Sequence, residues 1–114
     1  MKPRYNVWLE QDGEVVLSRW RVGLLEAIAE TGSISAAAEK LDVPYRRAWQ
    51  RIKEMEERVG FPLVETEIGG ARGGGTRLTA RAGDLIRQFH VFSDGLEDEI
   101  SARYRSAFPH PPSK

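Results

Sequence analysis

The residue that most constrains this chain is Pro44. Proline lacks an amide hydrogen and its ring clashes with the preceding turn, so it is excluded from a helix interior but fits the first helical turn. Before it, residues 34–41 hold the helix formers Ala36, Ala37, Ala38, Glu39 and Lys40, behind Ser33, whose hydroxyl can accept from an orphan backbone N–H. Asp42 and Val43 interrupt the run, so a second helix is expected from about Pro44. Small Ala37 and Ala38 allow close approach, while Leu41, Val43, Ala48, Ile52 and Met55 supply an apolar seam at helical spacing. Residues 32–59 therefore read as a helix-turn-helix. Opposite the seam stand Arg46, Arg47, Gln50 and Arg51, whose guanidinium and amide forks suit base edges or phosphates in a major groove. The same pattern fits an ordinary helical bundle with a solvated basic face.

Length bounds the rest. With 114 residues, 40% of them hydrophobic, the chain supports one core and is expected to form one domain. It holds no run near the roughly 18 apolar residues of a membrane helix, and no apolar signal at its start, so a cytoplasmic protein is expected. No cysteine is present, which excludes disulfides, thiolate metal sites and thiol nucleophiles. His90 and His110 lack metal-ligand spacing and no nucleophile stands beside a base, so the reading is of a non-enzyme without cofactor or metal. Formal net charge is zero, yet the basic residues cluster: residues 44–53 carry Arg46, Arg47, Arg51 and Lys53 with no acid. Acids gather at 54–57 and 94–99. Local basic surface, not the sum, governs phosphate contact, though a neutral total predicts modest non-specific affinity for nucleic acid.

Ahead of the motif, residues 5–9 and 14–17 alternate around Asp12-Gly13, a turn pair, and predict a β-hairpin over 4–17. Val7, Trp8, Leu9 and Val16 are expected to pack on helices, since a lone hairpin is marginal. Ser18 can cap a helix in which Trp20, Leu24, Leu25 and Ile28 form a core line ending at Thr31-Gly32, so a three-helix unit spans 18–60, with Gly60 and Pro62 as its stop.

Beyond it, residues 63–67 and 76–78 are short strands around the loop IGGARGGG, residues 68–75, with five glycines. Such a loop directly after a helix-turn-helix reads as a wing over 63–78, in which Arg72 can reach a nucleic-acid backbone or enter the minor groove. A flexible linker is the alternative; a nucleotide-cradling loop is disfavoured because no Gly-Lys-Ser/Thr follows. Thr79 can cap a helix over 79–108, along which Leu85, Phe89, Phe92, Leu96, Ile100 and Tyr104 form a near-heptad stripe. The stripe exceeds what one small core needs, which points to a second copy of the chain or to folding back over the hairpin. Gly95 is a place where this helix can bend or break, and the proline-rich end, 109–114, is expected to be disordered. The fold class is thus mainly α with small β: a winged helix-turn-helix with an N-terminal hairpin and a long C-terminal dimerisation helix.

The strings GSISAAAEKLDVPYRRAWQRIKEME and FPLVETEIGGARGGGTRLTARAGDLI resemble the N-terminal winged helix-turn-helix domain of the molybdate-responsive ModE regulators, over about residues 20–89. YRRAW and the glycine-rich wing followed by LT are the specific parts; the GS-x-x-x-AA opening is shared with the broader LysR-type regulators. The resemblance implies a dimeric transcriptional regulator of double-stranded DNA. It places Ser33 and Ser35 near phosphate and Pro44, Tyr45, Arg46, Arg47 and Gln50 in the reading head. Arg51 falls at the groove edge, and Arg72, Thr76 and Arg77 on the wing. Trp49 also matches, and its spacing suggests a half-buried structural residue. Full-length relatives of this type carry a C-terminal oxyanion-binding module, and the chain ends where it would begin. The expectation is a DNA binder without its own oxyanion sensor, standing alone or served by a separate sensor protein, with pairing to another regulator through the C-terminal helix as the alternative.

Overall fold

The computed structural model describes residues 1–67 and 75–110. Its elements are β1 (Trp8–Gln11), β2 (Glu14–Ser18), α1 (Arg19–Thr31), α2 (Ile34–Lys40), α3 (Tyr45–Val59), β3 (Val64–Glu67), β4 (Gly75–Leu78), α4 (Ala80–Ser93) and α5 (Leu96–Ala107). This is the expected class: mainly helical, with two antiparallel hairpins and a winged helix-turn-helix order.

The first hairpin turns through Asp12 and Gly13, both at positive φ, the conformation that matches the right-handed twist of a two-residue turn. β1 begins later than the expected 5–9, and pairing shifts between Leu9 and Glu10. A regular strand sends alternate residues inward, yet consecutive Val16 and Leu17 are both buried. The shift makes this possible, because Leu9 pairs Leu17 and Glu10 pairs Val15, leaving Val16 as the extra residue. It also corrects an expectation: Trp8 and Leu9 remain exposed rather than packed on helices, and the Trp8 indole N–H donates to Glu10 instead.

α1 is the central element. Ser18 caps it by accepting from the Arg21 amide, and Val22, Leu24, Leu25, Ala27 and Ile28 are buried. Trp20 is not part of this core. It sits in the first turn and stays exposed beside Gly23, next to which nothing packs. Gly32 ends α1 in the left-handed region, and its N–H donates to the Ile28 carbonyl at 2.8 Å. α2 and α3 then close the core through Ala37, Ala38, Ala48, Ile52 and Met55. Leu63, Ala82 and Phe89 complete it from the chain beyond.

Thr79 ties the wing's base to α4. Its hydroxyl donates to the Pro62 carbonyl and accepts from the Ala82 amide, and its own amide donates to Leu63. The C-terminal helical arm is divided at Asp94-Gly95, the weak point marked by sequence, where Gly95 takes φ 86°. The arm carries the molecule to extents of 62 × 31 × 22 Å. Along the expected partner-facing stripe, Phe89 is a correction: at 4% exposure it belongs to the protomer's own core. Leu85 packs partly against the same core. Ile100 lines a shallow cavity with Lys2, Pro3, Arg4 and Tyr5, and the Tyr104 hydroxyl donates to the Met1 carbonyl, so the N-terminal segment partly covers α5. Leu96 is half-buried. The apolar side chains that α4 leaves in solvent are Phe92, at 46%, and Val91, at 78%, which the stripe omitted. Residues 68–74, which hold Arg72, and residues 111–114 of the expected disordered tail lie outside the described residues.

Candidate nucleic-acid interface

The corner before α3 is built without glycine. Asp42 adopts φ 58°, a left-handed conformation that a short polar side chain tolerates. The Val43 amide donates to the Ala38 carbonyl and the Asp42 amide to Glu39, the crossed pair of bonds that stops a helix abruptly. Pro44 follows as the N-cap of α3, and its carbonyl accepts from Arg47 and Ala48 at 3.0 and 3.2 Å. The break therefore has fixed geometry, and α3 leaves it with a set rotation.

That rotation sorts the side chains. Ala48, Ile52 and Met55 form the buried line of α3. With about 100° per residue, Arg46 and Gln50 point nearly opposite it, while Arg47 and Trp49 fall roughly 90–110° to either side. Tyr45, Arg46, Arg47, Trp49 and Gln50 are all exposed. Arg46 and Arg47 make no ion pair among the described residues. Trp49 is 44% exposed, with the Lys53 ammonium 5.6 Å from its ring centre. It stands on the outer surface beside Tyr45, more open than its spacing suggested.

Arg51 differs from its neighbours. Its guanidinium donates to Glu54 at 3.1 Å, and Glu54 also receives Arg21 at 3.1 Å and Arg58 at 3.8 Å. This carboxylate joins α1 to α3, and Arg58 continues to Glu14 and the Val15 carbonyl on the hairpin. Arg51 is thus engaged inside the protomer rather than free at a groove edge. Glu56 acts similarly. Its carboxylate accepts from the amides of Leu63 and Val64 at 2.8 and 3.3 Å, fixing the chain as it leaves for the wing. Sequence showed these acids only as a cluster; their roles depend on what α1 and the wing bring to them.

The wing is tethered at the C-terminal end of α1. The Thr76 amide donates to the Gly32 carbonyl at 2.8 Å, so Thr76 serves first as a backbone anchor. A side chain at Gly75 would approach that same carbonyl to 3.2 Å, which explains a glycine there. Arg77 pairs with Glu65 at 3.3 Å and with Glu67 at 3.2 Å across the hairpin, so its charge is balanced by the wing's own acids. Ser33 uses its hydroxyl to cap α2, accepting from Ala36 at 2.9 Å. Ser35 is exposed and shares an open groove with Glu39, Asp42, Pro44 and Tyr45. The outer side of α3 and the adjoining groove therefore hold Ser35, Tyr45, Arg46, Arg47, Trp49 and Gln50. His90 lies elsewhere, with its Nε2 2.8 Å from Glu26. Among the described residues no helix is long and apolar enough to cross a membrane.

Comparison with known proteins agrees with this geometry. Residues 21–83 match the family described as bacterial regulatory helix-turn-helix protein, lysR family. The molybdenum transport protein ModE of Azotobacter vinelandii is 44% identical over 98 residues, covering 83% of this chain and 36% of the relative. The DNA-binding transcriptional dual regulator ModE of Escherichia coli strain K12 is 38% identical over 73 residues, covering 64% of this chain and 28% of the relative. The chain spans about a third of the length of the curated relatives it matches. The crystal structure of the CbnR_DBD–DNA complex shares the fold, with a TM-score of 0.58 at 24% identity over 80% of this chain and 98% of that one.

Proposed function

This chain belongs to the lysR family of bacterial regulatory helix-turn-helix proteins, and from that premise we propose that it is a dimeric, sequence-specific transcriptional regulator of the ModE-like type. It acts on double-stranded DNA in the bacterial cytoplasm and is no enzyme. The observation that carries the reading is the exposed set Arg46, Arg47 and Gln50, without side-chain partners among the described residues, on the outward side of a helix whose rotation is fixed by a rigid corner. Such a helix can enter a major groove, where guanidinium forks pair with guanine and the amide with adenine. The wing base, held at Gly32, supports contacts to the flanking backbone, to which Arg72 and Thr76 contribute.

In a dimer, two such helices lie about one turn of duplex apart, so the site is a palindrome with half-sites roughly 34 Å between centres. The exposed Val91 and Phe92 on α4 suit the contact between copies. The alternative occupant of that face is a different regulator or a separate sensor protein, and sedimentation at dilute concentration distinguishes a dimer from a monomer that associates only with another chain.

The test is selection of bound fragments from random duplex, followed by affinity measurement on the enriched site. A symmetric motif is expected, with Arg46→Ala or Arg47→Ala each weakening it by about 1–3 kcal/mol where a base contact is lost. Equal affinity for the enriched site and for random duplex would reject sequence-specific regulation.

A further inference from the structure

We propose that Trp49 is a specificity-determining residue, packing its indole, with Tyr45, against thymine methyl groups on one wall of the major groove. The inference rests on the DNA-binding reading above and adds an apolar contact to it.

Tyr45, Trp49 and Lys53 follow one another at four-residue spacing and form a line along α3 between its buried side and the Arg46–Gln50 line. Apart from the half-buried Val59 at its end, every other apolar side chain of α3 is buried: Ala48, Ile52 and Met55. Trp49 and Tyr45 stay open, at 44% and 53%. Neither supports the protomer's core, so packing within the chain does not account for a large aromatic here. Lys53 lies over the indole and holds cationic charge at the strip's far end, while also pairing with Glu56 at 3.2 Å. The strip is therefore an apolar surface bordered by Arg46 on one side and a lysine at its end. That mixture complements a groove wall, which presents a negative backbone and, among the bases, one large apolar group: the C5 methyl of thymine. A second protein chain on the strip would meet Arg46 and Lys53 together, a poor match for an apolar protein contact. Continuity with the reading head places the same duplex over Trp49 whenever Arg46 and Gln50 reach base edges.

The experiment uses the full chain and the duplex enriched by selection, with thymines replaced one at a time by deoxyuridine, which removes only the methyl group. Binding is read by fluorescence anisotropy at fixed salt. One or two positions per half-site are expected to lose about fourfold in affinity, the change implied by exposing one methyl group's worth of apolar surface. Trp49→Ala is expected to bind the unmodified site more weakly and to be indifferent to deoxyuridine at those positions; Trp49→Phe should retain part of both. The deoxyuridine series on the unaltered chain requires no variant to fold, and circular dichroism checks the variants. Uniform tolerance of deoxyuridine overturns the proposal. So does a deoxyuridine effect that persists in Trp49→Ala, because another residue then reads the methyl. Loss of dimer by Trp49→Ala with unchanged DNA affinity would place a second copy on the strip and also overturn it. Arg46→Ala separates the two levels: if it weakens binding while Trp49→Ala does not, the DNA reading stands and the tryptophan inference falls. If no duplex is enriched, both fall.

Discussion

Glu56→Ala should loosen the wing without touching the reading head. Glu56 accepts from the Leu63 amide at 2.8 Å and the Val64 amide at 3.3 Å, and Leu63 is fully buried. A hydrogen bond to a charged acceptor contributes about 1.5–3 kcal/mol, and a buried donor left without a partner costs a similar amount. The second amide is at longer range and adds less, and the Lys53 ion pair, whose ammonium is half-exposed, adds under about 1 kcal/mol. Alanine's better helix propensity returns a few tenths, roughly 0.4 kcal/mol. The net expectation is destabilisation by about 2 kcal/mol for Glu56→Ala. Glu56→Gln keeps a carbonyl acceptor while losing the charge, so about half that is expected. Urea unfolding followed by circular dichroism measures both, with an unchanged slope indicating the same denatured state. Chain concentration is held constant, because the apparent stability of any associating chain depends on it. Thermal unfolding should drop by roughly 10 °C for Glu56→Ala. A Glu56→Ala protein within about 0.5 kcal/mol of the parent, or Glu56→Gln as damaging as Glu56→Ala, would refute the clamp.

Gly32→Ala should destabilise by about 1–2 kcal/mol in urea, because φ 80° disfavours any side chain while nothing lies within 4 Å of the added carbon. Ile52→Ala should cost about 2–5 kcal/mol in the same assay, as its side chain is fully buried between the helices. Phe92→Asp should leave the protomer's secondary structure intact by circular dichroism and shift sedimentation toward monomer, whereas Phe89→Asp should unfold the chain. The opposite pattern would exchange the roles of the two phenylalanines.

The features legible in sequence were those decided by a few adjacent residues. Ser18, Ser33 and Thr79 cap their helices through hydroxyls, Gly32 and Gly60 end theirs in the left-handed region, and Gly95 divides the C-terminal arm. Each follows from backbone hydrogen-bond accounting over one turn. What was not legible is which neighbour covers an apolar side chain. Helical spacing put Phe89 and Phe92 on one stripe, but α1 reaches only Phe89. Trp20 shares the spacing of Leu24 and Ile28, yet it stays exposed while Val22, two residues on, is buried. In the first hairpin, a one-residue register shift turned Val16 inward alongside Leu17, a change that alternation cannot reveal. For the candidate site, composition marked the arginines, but the partition between free and engaged ones came from carboxylates distant in sequence, such as Glu54 meeting Arg21.

That partition resolves the tension between a formal charge of zero and a nucleic-acid surface. The α3 acids do not lie scattered over the helix: Glu54 binds Arg21, Arg51 and Arg58, and Glu56 binds Lys53 and two wing amides. On the wing, Arg77 is balanced by Glu65 and Glu67. The acids thus rigidify the frame at the C-terminal half of α3, and the α3 cations without a carboxylate partner among the described residues are Arg46 and Arg47, in its N-terminal half. Non-specific affinity grows with the number of phosphates neutralised, each contributing a slope of about −0.9 to the logarithmic salt dependence. An α3 surface whose free cations are Arg46 and Arg47 neutralises few phosphates, so under the reading proposed above discrimination comes mainly from base edges and groove shape. Such a chain should show a shallow salt dependence on random DNA and a steeper loss on its own site when one half-site is scrambled.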